Sequence, residues 1–223
     1  MEETESTSLA LLEPLRGLEA ERGLSASLDA TWASEKWELD GSIFGSEIRD
    51  PLIVGPVPDS SHLEIVNAGG PRRVVGAELL LHYVAGPLHV IGSSTWLDVS
   101  EADPNGGRRD SELVPSFSGE LAALLEDEDR GRVGLEVSCT GRQQLFDNPY
   151  RTISKPYLEI NALAEIKLAQ VAVFLNAVNL TDERQTRVDP LLRPEPASTG
   201  ERIVDVWAPL AGRVFNLGVR IEL

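Results

Sequence analysis

Apolar residues recur at every second position through most of this chain, and a period of two places them on one side of an extended strand. The clearest case is the last one. Phe215, Leu217, Val219, Ile221 and Leu223 alternate with Asn216, Gly218, Arg220 and Glu222. Before it, Gln170 to Leu180 is an apolar run of one strand's length. Upstream, Leu28, Ala30 and Trp32 oppose Ser27, Asp29 and Thr31, and Trp37, Leu39, Gly41 and Ile43 oppose Glu38, Asp40 and Ser42. Val75, Ala77, Leu79, Leu81 and Tyr83 oppose Gly76, Glu78 and His82. Leu88, Val90, Gly92, Ser94 and Trp96 oppose His89, Ser93 and Thr95. Phe117 to Leu125, Val133 to Cys139 and Leu158 to Leu168 repeat the pattern. About nine strands are predicted, each near the roughly ten residues that cross a bilayer at a tilt. Phe44, Leu80, Ile91, Leu97 and Leu163 break the rule by falling on the polar side. Residues 1–23 give a weak, partly helical pattern through Leu9, Leu11, Leu12 and Leu15, interrupted by Pro14, and read as a lead-in to a strand-built unit over 24–223.

The connections add a second regularity. Ala33 to Lys36, Ala85 to Pro87, Asp127 to Gly131 and the step at Ala169 are short. Arg49 to Arg72, Val99 to Pro115, Gln143 to Pro156 and Thr181 to Ala211 are long, and the two kinds alternate without exception. Outer-membrane barrels put short turns on one side and long loops on the other, whereas sandwiches mix lengths at both ends. The predicted fold is therefore all-β, part of an antiparallel up-and-down transmembrane barrel. Trp32, Trp37 and Tyr83 are expected at the short-turn rim, with Trp96, Phe117, Tyr157 and Phe215 at the other. Amphipathic rings gather at such interfaces because one part is apolar and the other reaches water.

Charge and cysteine narrow the partners. A net charge of -16 and a pI near 4.6 leave no basic patch, so nucleic acid is not expected. The single Cys139 excludes an intrachain disulfide framework and a multi-cysteine zinc site. A hydrophobic content of 42% is enough for an ordered chain. No stretch approaches the roughly 20 apolar residues of a membrane helix. The acidic opening from Met1 to Ser6 does not read as a signal peptide.

Particular segments resemble a family. Val171 to Asp182, ending Asn179-Leu180-Thr181-Asp182, looks like the penultimate strand of TonB-dependent outer-membrane receptors. Gly212-Arg213-Val214-Phe215 through Leu223 is similar to their last strand, and Gly76-Ala77-Glu78 resembles a Gly-x-Glu strand motif of that barrel. Leu18 to Glu21 is a degraded match to a segment that precedes a late strand, and Asp147 to Tyr150 fits a loop corner. Leu223 stands where the family usually has Phe, and Asn216 where an aromatic residue is frequent. Neither the family's plug domain nor its TonB box has a counterpart. Plugged transporters have 22 strands, so the resemblance implies an incomplete, carboxyl-terminal barrel portion that does not transport alone.

The resemblance further implies a Gram-negative outer-membrane location and uptake of a scarce nutrient such as a ferric siderophore, a cobalamin or a glycan. Implied partners are lipid and lipopolysaccharide, the missing plug and early strands, and through them TonB. Barrel-insertion machinery would read Phe215, Leu217, Val219, Ile221 and Leu223. Candidate ligand contacts are Arg184, Arg187, Asp189 and Arg193 in the last long connection, since arginine clusters suit anions through forked hydrogen bonds. The preferred alternative is that these charges pair with one another or with lipopolysaccharide phosphates.

Enzyme chemistry finds little support. His82 and His89 could share a metal with Glu78, but histidines on a polar rim are usually only solvated. Ser138 has no Gly-x-Ser-x-Gly elbow. Glu120, Glu136, Glu159 and Glu165 line one face, as carboxylates do in any polar lumen. Asp103 to Gly107 reads as a turn before a calcium loop. No enzyme, cofactor or metal site is expected. The competing class is a soluble sandwich or small closed barrel that binds a ligand inside.

Overall fold

In the computed structural model the described residues are 13, 15–57, 62–103, 106–197 and 202–221. Leu9, Leu11, Leu12, Pro14 and Leu223, singled out above, lie outside them. Twelve strands form: β1 (Arg22–Ala33), β2 (Trp37–Arg49), β3 (Leu52–Pro56), β4 (Leu63–Asn67), β5 (Arg72–Ala85), β6 (Leu88–Ala102), β7 (Arg108–Asp110), β8 (Phe117–Asp127), β9 (Gly131–Thr140), β10 (Tyr157–Leu168), β11 (Val171–Val178) and β12 (Val214–Ile221). Nine of them make one antiparallel meander in the order β1-β2-β5-β6-β8-β9-β10-β11-β12. These are the nine strands that the alternation predicts. The short β7 adds to the far end of β6, and β3 pairs with β4 as a separate hairpin.

The register carries the period of two across the whole sheet. Leu28 lies opposite Ile43, Ile43 opposite Ala77, Ala77 opposite Trp96, and Trp96 opposite Phe117. On the same face Leu125 is opposite Val133, Val133 opposite Ala164, Ala164 opposite Leu175, and Leu175 opposite Leu217. Every predicted apolar set therefore falls on one continuous face. That face is uncovered: Leu24, Leu28, Ile43, Val75, Val133, Ile166, Leu217 and Val219 are all exposed. Each such side chain gains about 1.5–3 kcal/mol on leaving water. A sheet-wide face of this kind fits an apolar solvent and not water. The opposite face is polar, with Glu120 across from Ser138 and Ser138 across from Glu159. Its stray apolar residues are absorbed by packing: Phe44 lies against Gly76, where a Cβ would come within 2.5 Å of the ring.

All four short turns stand at one rim and all four long connections at the other. At the short-turn rim Trp37 and Tyr83 face each other with ring centroids 4.2 Å apart. Toward the other rim Trp96 and Phe117 pair at 5.2 Å. Tyr157 departs from its expected place in that outward belt. It pairs with Thr140 on the polar face and packs inward on Leu145, Trp207 and Ala208. The parity explains it, because Leu158 already holds the outward position.

The long connections are more ordered than the sequence suggests. Arg49 to Arg72 contains the β3–β4 hairpin, tied down by Asn67, whose Nδ2 donates to the carbonyls of Glu19 (2.9 Å) and Asp50 (2.6 Å). The resembling Leu18–Glu21 segment is thereby fixed, since Glu19 N–H also donates to Asn67 Oδ1 at 2.8 Å. At the sheet's ends, β1 and β12 each have a neighbour on one side only among the described residues. Both run from the long-loop rim toward the short-turn rim.

Candidate functional site: the folded connections at the long-loop rim

Most of the buried apolar residues of the described chain gather here, Ala172 and Ala177 of β11 being the others. Leu145, Ala197, Val204, Trp207 and Ala208 all belong to the connections 141–156 and 179–213. The two connections pack on each other around Leu145 and Trp207, each under a twentieth exposed. Polar side chains then close the assembly. Gln185 is fully buried in a single 3-10 turn, Gln185–Arg187. Its Oε1 accepts from Trp207 N–H at 2.8 Å, and its Nε2 donates to the Asp205 carbonyl at 2.8 Å. Gln143 Nε2 donates to the Trp207 carbonyl at 3.0 Å, tying the first connection to the second. A buried amide with its bonds made is worth keeping because leaving one unmade costs about 1–3 kcal/mol.

Five of the residues that carry the family resemblance, Asn179, Leu180, Asp182, Gly212 and Arg213, form one knot at the foot of this cap. Asn179 takes a left-handed conformation (φ 53°), which Asn tolerates better than most residues. Its Nδ2 donates to the carbonyls of Glu183 (2.8 Å) and Ala211 (2.9 Å), while its Oδ1 accepts from Glu183 N–H at 2.9 Å. Leu180 offers its carbonyl to Arg213 Nε at 2.8 Å. Asp182 receives Arg213 N–H at 3.3 Å and pairs with Arg184 and Arg187. Gly212 passes so close to Asp182 Oδ1 that no Cβ fits there. The knot joins the end of β11 to the start of β12 and lets a connection of more than thirty residues leave and return at one point. Its role is architectural. Gly76 and Glu78 sit elsewhere, on the inner face of β5.

The four predicted ligand contacts are all engaged within the cap. Arg187 shares Asp182 with Arg184 and keeps its side chain 52% exposed. Asp189, 6% exposed, is gripped by both arms of Arg151, whose second contact is 2.7 Å. That carboxylate also raises the pKa of the Arg151 guanidinium, and Arg151 lies 5.5 Å over the Trp207 ring. Arg193 is 10% exposed and binds the side chain of Asp147 at 3.1 Å and its carbonyl at 2.5 Å. Each of the four is paired with a further charged residue of the cap: Arg184 and Arg187 with Asp182, Asp189 with Arg151, and Arg193 with Asp147. Arg151, Gln143, Gln185 and Trp207 carry the cap, and none was singled out from the sequence. Their partners lie tens of residues away, and no local pattern marks them.

A third connection reaches the cap through Glu112. Its Oε1 accepts from Phe146 N–H at 2.6 Å, and Arg109 lies 4.1 Å over the Phe146 ring. Burial pushes the Glu112 carboxyl above its ordinary pKa, the Phe146 hydrogen bond opposes this, and the nearby Asp205 carboxyl adds to it.

The remaining candidates stay apart. His82 and His89 line a recess of about 540 Å³ on the inner face, over Ile91, Leu124 and Leu163. Among the described residues no three His, Cys, Asp or Glu side chains gather as metal ligands. Ser138 faces Glu120 and Glu159, with no histidine across from it. Asn179, in the Asn-Leu-Thr triplet, is buried.

No protein-family model matches the sequence, and none of the curated proteins matches it. Solved structures do. The ferric-catecholate import receptor Fiu of E. coli K12 in its closed form superposes with a TM-score of 0.66 at 16% identity, over 96% of this chain and 30% of its own. The FrpB iron transporter of Neisseria meningitidis (F3-3 variant) gives 0.68 at 16%, over 94% and 32%. The R480A mutant of the ferric enterobactin receptor PfeA of Pseudomonas aeruginosa, solved with enterobactin, gives 0.71 at 16%, over 94% and 32%. The chain thus spans about a third of the length of these receptors. It has the fold of a barrel section of the TonB-dependent outer-membrane receptors, as the alternation and the motif segments led one to expect. These structural relatives are receptors and transporters, not enzymes.

Proposed function

We propose that this chain is the carboxyl-terminal barrel section of a Gram-negative outer-membrane receptor for active nutrient uptake. The observation that carries the reading is the single apolar face running unbroken across nine strands, with every long connection at one rim. Lipid covers that face, and the long-loop rim looks outward. The relatives are named for iron, ferric siderophores and copper, which favours a metal-bearing nutrient over a cobalamin or a glycan. The section does not transport alone: the polar inner face awaits a plug and the earlier strands, and through that plug TonB.

Within the cap the four charged candidates divide. Arg187 and Arg184 keep exposed guanidinium edges that can meet an anionic ligand or lipopolysaccharide phosphate. Asp189 is buried and Arg193 is partly so, and both hold the cap in shape. Phe215, Leu217, Val219, Ile221 and Leu223 serve recognition by the barrel-insertion machinery. The test is fractionation of cells expressing the chain. It should sediment with outer membranes and need detergent for release; a monodisperse chain in detergent-free buffer would refute the reading and favour a soluble ligand-binding sheet.

A further inference from the structure

Where β6 meets the folded connections, the long-loop rim holds a recess of about 370 Å³. Its walls come from the upper part of β6, from the run between Asp110 and Ser116, and from residues 142–144 with Ile153. The pairing explains the gap. Trp96 still lies opposite Phe117, and Leu97 N–H donates to the Ser116 carbonyl at 3.1 Å. Beyond that point the chain leaves β6, and Glu112 bridges to Gln144 instead.

Charge at this recess is unspent. Asp98, Asp110 and Arg142 line it, and none of the three side chains has a hydrogen bond or ion pair among the described residues. Other charges of the same rim are matched: Glu101 takes Arg72 at 3.1 Å and Arg109 at 2.9 Å, and Arg151 takes Asp189. Asp110 is opposite Ser100, two residues beyond Asp98, so the two aspartates share one face of the β6–β7 ladder. Diagonal neighbours of this kind stand roughly 7–8 Å apart, far enough to take one cation each. Buried Gln143 gives its Nε2 to the Trp207 carbonyl and keeps its Oε1 without a partner among the described residues. Leu97, Val114 and the exposed Ile153 supply an apolar wall.

A ligand that suits these groups carries the opposite charges in the same proportion. Two carboxylates match two cationic nitrogens, and one guanidinium matches one carboxylate through a forked pair of hydrogen bonds. An alkyl stem between them would lie on the apolar wall. A neutral sugar would leave the three charges uncompensated as they lose water. The volume is at the small end of ligand cavities, which run from about 300 to 1,000 Å³. We propose that this recess binds a basic amino acid of the lysine type: two cationic nitrogens, one carboxylate and a methylene stem. The site goes beyond the uptake reading and stands whether or not lipid covers the sheet.

The experiment is calorimetric titration of the full chain, in the medium that fractionation shows to keep it dispersed. The probes are lysine, cadaverine (no carboxylate), norleucine (no second cation) and glucose. Lysine should bind saturably, and each of the other three at least about tenfold more weakly, the worth of one charge-assisted hydrogen bond. No saturable binding of lysine, or a control that matches it, overturns the proposal. Asp110→Asn should weaken lysine by about the same factor. Arg142→Glu makes the recess wholly acidic and should reverse the preference, so that cadaverine binds better than lysine. A variant that still prefers lysine overturns the assignment of Arg142 to the carboxylate. Circular dichroism of both variants should match the parent chain, because these side chains have no partner to lose. A loss of strand signal would show that they are tied into the structure, and would overturn the proposal as well.

Discussion

Single residues fix the corners of this molecule. Gly131 starts β9 with φ of 121° and lies against the Glu165 carbonyl, where a Cβ has no room. Gly131→Ala combines backbone strain with a backbone clash, and strain of this kind alone costs about 1–3 kcal/mol. A loss of at least that size is expected in urea unfolding of the detergent-held chain. Asp189→Ala leaves the Arg151 guanidinium half-buried beside Trp207 without its partner. The loss should be on the order of 3 kcal/mol, read as faster tryptic cleavage between Arg184 and Arg193 than in the parent chain. Glu112 sets the pH response. A carboxyl with a raised folded pKa stabilises while protonated, so its contribution is whole below the ordinary value of 4.5 and is lost as pH climbs through the raised one. Amide exchange of the segment around Phe146 should therefore quicken over that window beyond its intrinsic rise, and Glu112→Gln should flatten the difference.

Strands were legible because their period survives any context. Leu28, Ile43, Ala77 and Trp96 could be assigned one face from spacing alone, and the register places them side by side. The turns followed from the gaps between periodic runs. The cap was legible only at its foot, where Asn179, Asp182 and Gly212 belong to segments with a recognisable order. Its interior was not, because Gln185 meets Trp207 twenty-two residues on and Arg151 meets Asp189 thirty-eight residues on. Such contacts leave no period behind. The β3–β4 hairpin went unread although Ile53, Val54, Ile65 and Val66 are β-branched pairs flanking a stretch that contains Pro56 and Pro58. Five-residue strands are too short for alternation to declare itself. Tyr157 shows the limit of reading rims without parity, since one residue decides between lipid side and lumen side. The two faces should also respond differently to charge. Leu121→Arg, outward at mid-sheet, is expected to cost about 2–4 kcal/mol in a bilayer and to lower recovery in outer membranes. Ser93→Arg, inward and opposite Glu120, should be recovered like the parent chain.

At the scale of the whole molecule two regions answer to two solvents. The sheet carries most of its large apolar residues exposed, while the cap buries a small cluster of its own around Leu145, Trp207 and Ala208. A denaturant that competes for hydrogen bonds attacks the cap first, whereas removing detergent attacks the sheet alone. Trp207 is the reporter for the first event, being the buried tryptophan, while Trp32, Trp37 and Trp96 stand outside on the strands. Urea titration in micelles should therefore shift Trp207 emission to longer wavelength before the strand signal in circular dichroism declines. A single coincident transition would show that cap and sheet are one cooperative unit.

The knot between Asn179 and Gly212 has a consequence of its own. Because departure and return share one anchor, everything between them hangs from the sheet like a pendant from a clasp. The pendant could be exchanged for another without disturbing the rungs below. A change in what hangs between the two ends of the clasp need leave no trace in the ladder of strands below.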